Sequence, residues 1–68
     1  MKLSARNQLK GTIVEVTKGA TTAQVKIDVG GTIITSSITN AAVDELRLVK
    51  GQTAYAVVKA SDVMIAID

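Results

Sequence analysis

Apolar and polar residues alternate along much of this chain with the period of a β-strand, and glycine-bearing turns cut the pattern into short runs. From Thr21 to Val29, Ala23, Val25, Ile27 and Val29 fall on one face and Gln24, Lys26 and Asp28 on the other. That two-residue repeat is the mark of a strand with one buried side. The run before it, Gln8 to Thr17, places Leu9, Ile13, Val14 and Val16 in a mixture of alternation and an adjacent apolar pair. Gly30-Gly31 supplies a hairpin turn, and the β-branched stretch Thr32 to Thr39 follows it. Lys18-Gly19 and Lys50-Gly51 signal two further turns. Asn40 is a good N-cap, so Ala41 to Leu46, with Asp44 and Glu45 early in it, predicts a short helix. Two last runs, Gln52 to Lys59 and Asp62 to Ile67, bring the expected strands to five.

This order predicts an all-β fold, a small five-stranded OB-like Greek-key barrel with one short helix between the third and fourth strands. An SH3-like barrel or another small β-roll has a similar count, and spacing alone does not choose between them. Tyr55-Ala56-Val57-Val58 and Val63-Met64-Ile65-Ala66-Ile67 are apolar on both faces. A strand in a small solvated barrel is polar outside, so an outer face here needs cover. With no Pro, linker or low-complexity tract, residues 1–68 predict one domain, and only another copy is left to supply the cover. An obligate homo-oligomer is expected. The start at Met1 and the end at Asp68 fit a complete small protein.

Composition narrows the chemistry. A chain of 68 residues is marginal without a supporting device, and the absence of Cys and His removes disulfides, thiolate sites and the commonest metal ligand and general base. The apolar fraction is 47% with a single aromatic, Tyr55, which reads as core beside Ala and Val. No apolar run reaches the roughly 18–20 residues of a membrane span. The segment MKLSARNQLKG has no apolar signal region, so a cytoplasmic location is expected. Eight Lys and Arg against six Asp and Glu leave a net charge of +2, spread evenly along the chain. That is no nucleic-acid or membrane footprint, but it is compatible with a small anion.

Three constellations remain. Ser61 lies two residues from Lys59, which on a strand puts a nucleophile and a base on one face. The domain is too small to frame a deep cleft, so catalysis is not expected. An OB-type nucleic-acid binder needs aromatic platforms and a basic groove, which one core-like Tyr does not supply. The anion reading rests on Ser4-Ala5-Arg6-Asn7-Gln8 before the first strand and Val58-Lys59-Ala60-Ser61-Asp62 between the last two. Together they hold a guanidinium, an ammonium, two hydroxyls and backbone N–H groups, which suit a tetrahedral dianion. On spacing alone, ordinary solvated turns with surface cations are the better explanation.

The strings SARNQLKGTI, SITNAAVDELRL and AVVKASDVMIAI resemble the molbindin (Mop) family over essentially the whole chain. Its domain, of the TOBE type, also occurs in molybdate-responsive regulators and oxyanion-transporter ATPases. The resemblance implies a homo-oligomer, a hexamer built as a trimer of dimers, that binds molybdate or tungstate between subunits. It implies no organic cofactor, no bare metal cation and no enzyme activity. The oxyanion site it implies comprises the Ser4 hydroxyl, the Ala5 N–H, Arg6, Lys59 and the Ala60 N–H, with Ser61 adjacent and Thr39 supplied by a partner chain. A hydroxyl that some relatives carry three residues after Thr39 is replaced here by Ala42. A second site on a threefold axis is expected near Ala20 and Thr21. The implied role is storage or homeostasis of the oxyanion. An OB-fold nucleic-acid-binding module and an isolated regulatory or transporter domain are the alternatives.

Overall fold

The strict alternation between Thr21 and Val29 decides where the core lies. The computed structural model describes residues 1–68, with β1 Asn7–Lys18, β2 Thr22–Val29, β3 Thr32–Thr39, α1 Asn40–Leu46, β4 Thr53–Val58 and a single 3-10 turn at Ala60–Asp62. The four strands form one antiparallel sheet in the order β3-β2-β1-β4. Ala23, Val25 and Ile27 of β2 are buried, as their face predicts, and Val29 is half-buried at the strand's end. Ile13 of β1, Val43 of α1 and Ala56 of β4 complete the core, which holds no buried polar or charged residue. Its walls are Val and Ile methyls with no large aromatic inside.

The adjacent apolar pair Ile13-Val14 has a structural cause. Between Ile13 and Glu15 the β1–β2 register shifts, so Val14 is the extra residue of a β-bulge. The bulge bends β1 and raises its twist, and near this point the strand changes neighbours. Asn7 to Thr12 pair with β4, while Thr12 to Lys18 pair with β2. Gly11 precedes the changeover, and the end of β2 crosses so close that a Cβ there would lie 2.7 Å from Ile27 Cγ2 and closer still to the Asp28 carbonyl oxygen.

Two expectations need correction. The helix begins one residue earlier than expected, and its N-cap is Thr39, whose Oγ1 accepts from the Ala42 N–H at 3.0 Å. Asn40 is inside the helix because its own groups are engaged elsewhere. Its backbone N–H donates to the Thr21 carbonyl at 2.9 Å and its Nδ2 to the Gly19 carbonyl at 3.0 Å.

The expected fifth strand, Asp62 to Ile67, is not one: the sheet has four strands. After the 3-10 turn the chain leaves the sheet, and its apolar side chains stand in solvent, Met64 at 92%, Ile65 at 87% and Ile67 at 92% exposure. A strand is defined by a ladder partner, and this segment has none within its own chain. No helix is long and apolar enough to cross a membrane.

Candidate functional site

The first and last parts of the sequence meet at one end of the sheet. Asn7 pairs with Val58 as the outermost rung of β1 and β4, and Asn7 Nδ2 donates to the Val58 carbonyl at 3.2 Å. Arg6 and Lys59 are the next residues beyond that rung. The β1–β4 register thus makes the Ser4–Arg6 and Lys59–Ser61 segments leave the sheet from the same end, with Ala5 half-buried and the other five residues exposed. The 3-10 turn spends two N–H groups on itself, Asp62 to the Lys59 carbonyl at 2.9 Å and Val63 to that of Ala60 at 3.3 Å. The N–H groups of Ala60 and Ser61 open the turn and donate to no backbone carbonyl, as the first residues of any helical turn do. Gln8 Nε2 donates to the Ala5 carbonyl at 3.3 Å and shapes the incoming segment.

The electrostatics of this end are one-sided. The chain's two ion pairs are Lys18–Asp44 and Lys26–Glu15, so neither Arg6 nor Lys59 is matched by a carboxylate. Asp62, the closest acid in sequence, pairs with neither. Two cations without carboxylate partners, with free N–H donors and hydroxyls at the same end of the sheet, are chemistry for an anion, the Asp62 carboxylate being the one acidic group of that turn. The Ser61–Lys59 pairing on one strand face is overturned. Lys59 is the extended residue that leads into the 3-10 turn and Ser61 lies inside it, so the two do not sit on one strand.

The remaining expected residues gather at the other end. Thr39 pairs with Thr22, and the hydrogen bonds of Asn40 tie the helix start to the Gly19–Thr21 loop. Thr39 and the pair Ala20 and Thr21 thus share one corner. The Thr39 oxygen is used in capping, but its hydroxyl proton is free to donate. Ala20 and Thr21 N–H groups donate to no backbone carbonyl. Ala42 is half-buried and offers only a methyl group. The role of Asn40 as the stitch between these two segments escaped the sequence reading, because its two carbonyl partners lie about twenty residues away. The buried Asn40 Oδ1 has no partner of its own.

The two ends are separated by the 12 residues of β1. A single chain never brings Thr39 to Arg6 and Lys59. Tyr55 is also not core: it is half-exposed, because Ala54 and Ala56 take the inward positions of β4. It lines an apolar cavity of about 380 Å³ between β3 and β4 with Val57, Ile38 and Leu48.

Comparison with known proteins places this architecture. The TOBE domain model matches residues 3–65. The chain belongs to the TOBE domain family. Within that family its resemblance to the molbindin group holds over its full length. It is 48% identical to a probable molybdenum-pterin-binding protein of Haemophilus influenzae, with both chains covered in full. This TOBE domain superposes on a molybdate-binding protein from Sporomusa ovata with a TM-score of 0.94 at 37% identity, covering 98% of this chain and 100% of the other. It also matches a molybdate-bound form of ModG, described as a cytoplasmic molybdate-binding protein, with a TM-score of 0.89 at 49% identity over 94% of this chain and 46% of that one.

Proposed function

We propose that this TOBE domain binds molybdate or tungstate reversibly, without chemistry, and serves to store or buffer the oxyanion in the cytoplasm. The observation that supports the reading is the β1–β4 end of the sheet, where Arg6 and Lys59 follow the terminal Asn7–Val58 rung and neither is matched by a carboxylate. Arg6 supplies directed paired donors and Lys59 a point charge. The Ser4 and Ser61 hydroxyls and the Ala5 and Ala60 N–H groups replace the hydration shell. Thr39 completes the site from another copy, since its own chain holds it at the far end of β1. Ala20 and Thr21 offer backbone N–H groups to a second site where copies meet around an axis. The molybdate-binding titles of the Sporomusa ovata protein and of ModG support the choice of ligand. The assembly, a hexamer built as a trimer of dimers, is part of this reading, and residues 1–68 act as one domain within it.

A site whose charged groups are both cations and whose N–H groups can only donate favours a fully deprotonated dianion over hydrogen phosphate, whose proton is left to the hydroxyl oxygens as acceptors. Sulfate has the same charge and shape as molybdate, so discrimination between them is by size. Calorimetric titration is expected to show molybdate and tungstate binding far more tightly than sulfate, with phosphate weakest at neutral pH. Equal affinity for sulfate and molybdate would reduce the site to a charge reader and remove the metal-oxyanion role. A short single-stranded oligonucleotide in the same titration tests the nucleic-acid alternative and is expected to give no heat.

A bound anion that joins chains adds stability by mass action, as does assembly itself. The midpoint of thermal unfolding is expected to rise with protein concentration and again with molybdate. A midpoint that does not move over a hundred-fold range of concentration would count against a site shared between chains.

A further inference from the structure

One side-chain acceptor is shut away from solvent with nothing to bond: Asn40 Oδ1. A buried orphan of this kind is destabilising and calls for a reason. The reason is at the other end of the same amide, where Nδ2 donates to the Gly19 carbonyl at 3.0 Å. Exchanging the two ends would set Oδ1 against the Gly19 oxygen, acceptor against acceptor. The backbone N–H of Asn40 donates to the Thr21 carbonyl at 2.9 Å. One residue thus grips the peptide units on both sides of the Ala20–Thr21 peptide. A trans peptide points its C=O and N–H in opposite directions. With the Gly19 carbonyl turned toward Asn40, the Ala20 N–H of the same unit is turned away from it. The Gly19 N–H is used within the loop, on the Thr22 carbonyl at 2.7 Å, while those of Ala20 and Thr21 donate to no backbone carbonyl. Gly19, Ala20 and Thr21 are exposed, whereas Asn40 is half-buried.

We infer that Asn40 is the positioning residue of the second anion site: it touches no ligand, but by holding the Gly19 and Thr21 carbonyls it aims the Ala20 N–H outward and fixes the unit that carries the Thr21 N–H. Donors held in place before the anion arrives do not have to be ordered by it, and affinity gains by that difference. The coupling also runs backward. When the Ala20 N–H donates to an anion, the carbonyl of its own peptide unit becomes a better acceptor for Asn40 Nδ2. An apolar residue of the same size would fill the space and leave the loop free to turn. The inference rests on the second-site part of the function proposed above and not on the Arg6–Lys59 end.

The test titrates the nitrogen-15-labelled full chain with molybdate and follows the amide signals of Ala20 and Thr21 by NMR, against those of Ala60 and Ser61. In the unsubstituted protein the Ala20 and Thr21 signals are expected to move saturably, and the Asn40 side-chain NH2 signals to move with the same midpoint. Asn40→Ala removes the Nδ2 donor, and Asn40→Leu removes it while keeping the bulk. Each is expected to weaken binding at Ala20 and Thr21 about ten-fold, the worth of one well-placed hydrogen bond. The Ala60 and Ser61 midpoint is expected to stay where it is, because the cap bond from Ala42 to Thr39 does not involve the Asn40 side chain. Still Ala20, Thr21 or Asn40 signals in the unsubstituted protein, full affinity in either variant, or an equal loss at both sets of amides would each overturn the proposal. Ala20 and Thr21 signals that respond as expected, with those of Ala60 and Ser61 never moving, would leave the role of Asn40 standing and remove the Arg6–Lys59 reading instead.

Discussion

Arg6→Ala is expected to weaken molybdate binding by roughly 30-fold to several thousand-fold, and Lys59→Ala to fall in the same range. Both side chains are exposed in the single chain; on the proposed reading a second copy covers the site, so either change leaves a dianion with one counter-charge away from water, a loss that typically costs about 2–5 kcal/mol. The two cations are consecutive with the terminal Asn7–Val58 rung and free of carboxylate partners, so each has the anion as its natural counter-ion. Lys10→Ala is the control. Lys10 is exposed in β1 opposite Tyr55, and its loss is expected to cost about ten-fold or less. Because the proposed site joins chains, Arg6→Ala is also expected to remove most of the thermal stabilisation that molybdate confers. Isothermal titration decides the matter. Equal small losses for Arg6→Ala and Lys10→Ala would reduce the Ser4–Arg6 segment to a solvated turn.

Gly11→Val is expected to unfold the protein or lower its thermal midpoint by roughly 10–20 °C. The Ile27 methyl and the Asp28 carbonyl already occupy the space that a β-carbon at position 11 needs. The Asp28 oxygen belongs to a backbone paired with Thr12, so it cannot swing aside as a side chain would. Overpacking of this kind costs about 2–3 kcal/mol, a large share of what so small a domain has to lose. Circular dichroism against temperature measures it, with Lys10→Ala as the neighbouring control. A midpoint within a few degrees of the unsubstituted protein would show that β1 and β2 separate easily at this crossing.

What the sequence made legible depended on whether a residue's partner was near in the chain or implied by a pattern. The buried side of β2 was legible because three of its four inward positions, Ala23, Val25 and Ile27, are buried and the fourth, Val29, is half-buried at the strand's end. The hairpin at Gly30-Gly31 was legible because both residues have the positive φ that glycine tolerates. The cap was misassigned by one residue because Thr39 and Asn40 are both good caps. The choice fell to long-range bonds from Asn40 to Gly19 and Thr21. Tyr55 was misread because strand alternation, and not residue size, sets which side chains of β4 face inward. That Arg6 and Lys59 both follow the terminal β1–β4 rung depends on the strand register, which no local spacing encodes. The sequence joined the two segments by their chemistry, and the family resemblance then favoured one site over two solvated turns. The fifth strand shows the reverse case: its pattern is plain in the sequence, while the ladder that would hold it is missing from the single chain.

The length of β1 also sets a counting rule. On the proposed reading, one chain carries the Arg6–Lys59 half of a site at one end and the Thr39 half at the other, with the 12 residues of β1 between them, and each ligand needs one half from each of two chains. A closed ring of chains then holds as many such ligands as it has members, and an open string always strands two halves. Occupancy becomes a measure of ring closure as much as of anion concentration. A store built this way can be emptied by diluting or degrading the protein while the anion level stays fixed, and the last chain to join a ring fills two sites at once.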